Sequence, residues 1–171
     1  METIYGRGNA AHVPQAFTQT TLTQTATPVT HHYRTLPIAD GFNWPHIIRH
    51  LQTLGRTKTE PLYLVVFRSV RKPGVDSAWV TQLDEAAHQE ALQSPALLYY
   101  FAGHLDENRR AMSWCLWTEQ TAARQALSGS AHQNAVRAAR ELYEAFSIET
   151  YMVHIATETG IQFVEAPRHH H

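Results

Sequence analysis

The chain has 171 residues, 43% of them hydrophobic and 17% charged, with a formal net charge of −1 when its histidines are neutral. That length can bury a real core, and the near-balance of charge excludes non-specific nucleic-acid binding, which needs an excess of Lys and Arg. No apolar run approaches the roughly 18 residues of a membrane helix.

The opening stretch, METIYGRGNAAHVPQ, has no apolar signal-peptide core, so the expected location is the cytosol. Residues 1–35 are rich in Thr and Gln and poor in large apolar side chains. They read as an N-terminal extension, flexible or draped over the rest. From 36 to 165 the pattern is that of a single domain. The terminal RHHH, 168–171, reads as a tag remnant and is set aside.

The first element is a helix over 43–54. Asn43 caps it, Pro45 falls in the tolerant first turn, and Trp44, Ile47, Ile48 and Leu51 recur at helical spacing up to a stop at Gly55. PLYLVVFRSV, 61–70, is an unbroken β-branched and aromatic run, which predicts a strand buried on both faces. A helix follows over 76–95, capped by Asp76 or Ser77, with Trp79, Leu83, Ala86, Ala87 and Leu92 as its inner side and Pro95 as its end.

ALLYYFAGH, 96–104, is a second strand. The polar LDENRR makes a short link to a third, AMSWCLW, 111–117, which the short link requires to be antiparallel. Thr118 is placed to cap the next helix. SGS interrupts it, with Gly129 suited to a left-handed turn and Ser130 with Gln133 forming a capping box. Ala135, Ala139, Leu142 and Phe146 form the stripe of the restarted helix. SIETYMVHIAT, 147–157, is a fourth strand, and TGIQFVEAP offers a short edge strand.

The order β-α-β-β-α-β over 61–157 predicts an α+β, ferredoxin-like fold: a four-stranded antiparallel sheet with two helices on one face. Both faces of the first strand are apolar, so the other sheet face needs cover. A second copy of the sheet, giving a homodimer closed as a dimeric α+β barrel, is the favoured cover. The 43–54 helix is the alternative.

The stretch LWTEQTAARQALSGSAHQ resembles the antibiotic-biosynthesis-monooxygenase-like family of dimeric α+β barrels, in which a strand ends on a Trp and a Ser-x-His step opens a longer helix. GHLDENRRAMSWCLW and ARELYEAFSIETYMVH also resemble a functionally uncharacterised, mainly fungal family. The first resemblance implies a ligand pocket between sheet and helices and cofactor-independent oxygenase chemistry, with Trp117 and His132 in matching places. Its alternatives are a haem-binding or haem-processing role, with a histidine as axial ligand, and a non-catalytic dimeric binding module.

The residues supply candidates for each role. His132, His104 and His154 are the candidate bases, since imidazole titrates in the useful range. His132 lies in a helix first turn, where the positive terminus favours its neutral form. Trp117, Trp114 and Tyr100 are candidate aromatic walls for a planar or phenolic ligand, although alternation sets Trp114 on the face opposite Trp117 and Cys115. Arg109 and Arg110 are candidates to hold a carboxylate or phenolate, or else are ends of a solvated hairpin. His46 and His50, one helical turn apart, lack a third metal ligand, so no metal site is expected. The sole cysteine, Cys115, permits no internal disulfide and lies in an apolar strand, where an inert thiol is expected. The expected partners are a small-molecule ligand and a second copy, with neither nucleic acid nor membrane.

Overall fold

A computed structural model describes residues 27–56, 61–156 and 160–167. In chain order the elements are α1 (Ile38–Gly41), α2 (Trp44–Thr53), β1 (Leu62–Arg71), α3 (Ser77–Ala91), β2 (Leu97–Ala102), β3 (Arg110–Trp117), α4 (Gln120–Leu127), α5 (Ser130–Leu142), β4 (Tyr143–Ala156) and β5 (Gly160–Glu165). The sheet order is β2-β3-β1-β4-β5, every neighbouring pair antiparallel. Strands β1 to β4 therefore follow the ferredoxin-like arrangement. The predicted four-stranded sheet is corrected to five. The tail strand β5 pairs with Tyr151–Ala156 of β4.

Period-two alternation sorts β1 into two apolar sets. Leu62, Leu64 and Val66 face one way, with Trp114, Leu116 and Val153 from the flanking strands. Trp44, Ile47, Ile48 and Leu51 of α2 and Tyr33, Ile38 and Phe42 before it pack on this face. Phe42, Trp44, Phe101 and Trp114 meet edge-on, tilted or stacked at centroid distances of 4.9 to 5.9 Å. The cover expected from a second copy is thus supplied by the chain itself. An apolar sheet face is indifferent to the source of its partner surface, and the tethered helix is always at hand. Of the expected extension over 1–35, residues 1–26 lie outside the described residues, and so does the 168–171 stub. Tyr33, by contrast, is buried in the core.

Helix α2 begins where its sequence directs. The Asn43 side chain accepts from the His46 amide at 3.2 Å, Pro45 lies in the first turn, and Gly55 ends it with φ of 65°. At α3, Asp76 is the cap, accepting from the Ala78 amide at 2.8 Å.

The second half departs from expectation in three places. Helix α4 starts at Gln120 with Glu119 as its N-cap residue and no side-chain cap bond, so Thr118 is not its cap. Gly129 has an ordinary φ of −67°, and the Ser130–Gln133 capping box is not formed. Finally, α5 passes directly into β4 at Tyr143, so Phe146 belongs to a strand and not to the helical stripe.

Candidate functional site

The other face of the sheet lies under α3, α4 and α5. Two separate apolar clusters close its ends. One joins Tyr63, Leu97 and Trp117 to Ala91, Ala122 and Ala123. The other joins Val80 of α3 to Ala138 and Leu142 of α5, with Val75, Leu83 and Tyr143 against them. Between them runs one register row across the sheet: Thr150, Val65, Cys115 and Tyr100. All four are only partly buried, although they sit mid-sheet on the face roofed by helices. At about 4.8 Å per strand the row is roughly 14 Å long.

Polar and aromatic groups gather on this band. The His88 ring of α3 lies against the Tyr100 ring at 4.3 Å between centroids. Burial lowers the His88 pKa, with Glu85 opposing, so the imidazole is neutral near pH 7. Its Nε2 is buried and finds no hydrogen-bond partner among the described residues. Asp84, one turn earlier, keeps solvent-accessible surface, yet partial enclosure raises its carboxyl pKa, with the Arg71 charge opposing. Burial, then the Asp84 charge, raises Tyr100, and the same two causes push Tyr143 up to about 12. Burial pushes the Cys115 thiol up to about 11. That thiol is protonated at neutral pH and a poor nucleophile.

A groove of about 500 Å³ opens at the Thr150 end of the same face. Tyr63, Gln120, Arg124, Leu127, Ile148, Thr150 and Ala166 are among its walls. Gln120 Nε2 donates to the Tyr63 hydroxyl at 3.4 Å. This volume falls in the ordinary range for small-molecule sites. Among the described residues no three His, Cys, Asp or Glu side chains gather closely enough to hold a metal.

Of the residues expected from sequence, Tyr100 is on the band. Trp117 is on the same face but 2% exposed, packed into the end cluster, and it does not line the groove. Trp114 is 1% exposed in the core beneath α2, on the opposite face. His154 stands exposed on β4, opposite Gln162. His104 is exposed past the end of β2, its carbonyl holding Arg34. Arg109 adopts φ of 62° and pairs with Glu144 at 3.0 Å. Arg110 is exposed at the start of β3.

His132 has a structural engagement. Its Nδ1 lies 3.2 Å from Glu90 Oε2, and the Glu90 carboxylate accepts from the Ala131 and His132 amides at 3.2 and 3.1 Å. Glu90 of α3 therefore caps α5 across space, in place of the local Ser130–Gln133 pair. Those bonds hold its carboxyl below the usual range. A Cβ at position 129 would displace the Glu90 carboxylate from this capping position.

His88, Asp84 and Arg124 were missed. Of the predicted inner stripe of α3, Leu83 and Leu92 pack against the two clusters, but Trp79 is 38% exposed and the buried positions are Val80 and Ala91. The i, i+4 spacing of Asp84 and His88, in phase with Val80, was the signal in the sequence that could have found them.

A five-stranded antiparallel sheet of ferredoxin-like order, helices on both faces and a groove beside its helix-covered band define the chain as an α+β protein of this class. More particularly, it belongs to the PB2B2.08-like family, which matches residues 9–165. It is 28% identical over 143 residues to the UPF0643 protein PB2B2.08 of Schizosaccharomyces pombe, covering 77% of this chain and 64% of that one. The chain thus spans under two thirds of that relative's length. Among solved structures it is similar to protein SO0527 from Shewanella oneidensis, with a TM-score of 0.48 and 19% identity over 54% of this chain and 91% of that one. It is also similar to SnoaB, a cofactor-independent oxygenase from Streptomyces nogalater, with a TM-score of 0.47 and 14% identity over 57% and 97%. Likenesses at this level carry no chemistry from one chain to another.

Proposed function

We propose that the protein is a small-molecule enzyme. It takes a planar, phenol-like compound into the band between the sheet and α3–α5, and His88 acts as its general base. The observation that carries this reading is the His88–Tyr100 pair. A neutral imidazole, its Nε2 unengaged among the described residues, lies tilted by 32° against an aromatic wall inside a partly accessible band. Neutral imidazole is the form a base requires. Glu85, whose charge opposes the lowering of the His88 pKa, is the carboxylate that favours the imidazolium formed once the proton is taken. Tyr100 and Tyr143 remain protonated and can donate to the phenolate. Arg124 lines the groove together with Glu149 and Glu165, so a neutral or hydroxyl-bearing substituent suits it better than an acidic one.

After proton removal the substrate anion either adds dioxygen or rearranges, in line with the resemblance carried by LWTEQTAARQALSGSAHQ. The test pairs binding with turnover. 2-Naphthol and 1,4-dihydroxynaphthalene are titrated calorimetrically, and oxygen uptake and product formation are followed for each. His88→Gln should keep affinity and lower turnover by a factor of about 10² to 10⁴. Wild-type protein that binds neither compound, or a His88→Gln variant with full turnover, contradicts the assignment.

A homodimer is part of the proposal, through a surface other than the one first expected. Phe146 and Ile148 on β4 and Val164 on β5 are exposed apolar residues. Strand β5 ends opposite Tyr151, so among the described residues no strand lies beside the outer edge of β4 before that point. Unpaired apolar edges seek cover.

A further inference from the structure

A second depression, of about 250 Å³, lies where β3, β1 and β4 meet at the far end of the sheet. Arg68 and Val70 continue the alternation of Leu64 and Val66, so they belong to the face under α2 and not to the band described above. Three guanidinium groups from three segments line the depression: Arg34 ahead of α1, Arg68 of β1 and Arg110 of β3. No Asp or Glu lines it among the described residues.

Two of the arginines are fixed. Arg68 donates to the carbonyls of Arg34 and Leu36 at 2.6 and 2.8 Å and pairs with Glu149 at 2.6 Å. Arg34 donates through Nε and Nη2 to the His104 carbonyl at 2.8 and 2.6 Å, and its guanidinium lies 4.3 Å from the centre of the Tyr33 ring. Carbonyls hold position without cancelling charge. Arg110 has its backbone amide tied to Asp106 Oδ1 at 2.8 Å, while its guanidinium has no hydrogen bond or ion pair among the described residues. Three positive charges therefore line one small depression, and one carboxylate, that of Glu149, is paired with any of them.

We propose that this depression binds a small organic oxyanion, a carboxylate or a phosphate monoester. Arg110 closes on it, Arg34 supplies fixed charge that no carboxylate offsets, Arg68 with its partner Glu149 shapes the floor, and the apolar part rests on Val70 and Ala145. The Arg110 fork, unengaged among the described residues, matches the planar or tripodal oxygens of such groups, and the anchored Arg34 adds charge without further loss of side-chain entropy on binding.

The experiment is calorimetric titration of the full chain with benzoate, phenyl phosphate and the neutral benzyl alcohol at matched ionic strength. At least one acid should bind, more weakly as salt is added, and the alcohol should not. The tighter of the two acids identifies the oxyanion. Arg110→Gln should weaken that acid about tenfold or more, the effect of losing a charged hydrogen bond, with Arg110→Lys in between. Both variants should melt close to wild type, since the exposed Arg110 guanidinium has no hydrogen bond or ion pair among the described residues. His88→Gln should leave this binding unchanged, which separates the site from the proposed catalytic band. The proposal is overturned if neither acid binds, if the alcohol binds as well as the acids, or if Arg110→Gln retains wild-type affinity.

Discussion

His88 couples the proposed chemistry to a pH dependence of stability. Burial depresses its pKa below the ordinary 6.5, with Glu85 opposing the shift, and the Tyr100 ring lies against it. The folded state therefore favours neutral imidazole, and the unfolded chain takes up a proton first as pH falls. The neutral residue's contribution to stability is complete above about pH 6.5 and is lost as pH drops through the lower folded value. Denaturant titrations from pH 7.5 to 5 should show this decline in wild type and a shallower one in His88→Gln. Equal slopes contradict the buried neutral state. The ring and amide of His132 both engage Glu90. Replacing Glu90 by Ala should lower the melting temperature and speed hydrogen exchange at the Ala131 and His132 amides, while affinity for a phenolic ligand is retained.

Elements were legible where local rules decide them. Asn43, Pro45 and Gly55 mark α2 because capping, ring constraint and positive φ act within a few residues. The long apolar run at 62–71 marks β1 for the same reason. The start of α5 was not legible, because its cap is Glu90, forty residues earlier in the chain. Nor was its end: Tyr143–Ala145 carry no turn residue, and Phe146 fits a helical stripe as well as a strand. The candidate site was hidden by the same kind of degeneracy. His88 is a polar residue at a half-buried position of α3, and a stripe drawn through the apolar Trp79 passes it by.

At this scale α2 is the clearest load. Leu51 is fully buried between α2 and the sheet. Leu51→Ala should destabilise the protein by about 2 to 5 kcal/mol, read from the denaturation midpoint. A loss well under 1 kcal/mol contradicts the helix as the cover of that face.

For the molecule as a whole, a sheet with apolar residues on both faces dictates two covers, and the sequence showed that much. It did not show which cover is internal, because a tethered helix and a second copy satisfy the same surface. With α2 in place, the proposed homodimer rests instead on Phe146 and Ile148, 47% and 56% exposed. Sedimentation equilibrium should find a dimer for wild type and a monomer for Phe146→Glu with Ile148→Glu. An unchanged mass in the double variant contradicts that interface.

The band between the sheet and α3–α5 is what the functional account rests on. The most direct measurement is a ¹⁵N and ¹³C shift-mapping titration of the full chain with 2-naphthol. The account predicts saturable shifts centred on His88, Tyr100, Cys115 and Thr150, with none at Trp114 beneath α2. Saturable shifts centred elsewhere, or none at the band at millimolar ligand, would contradict it.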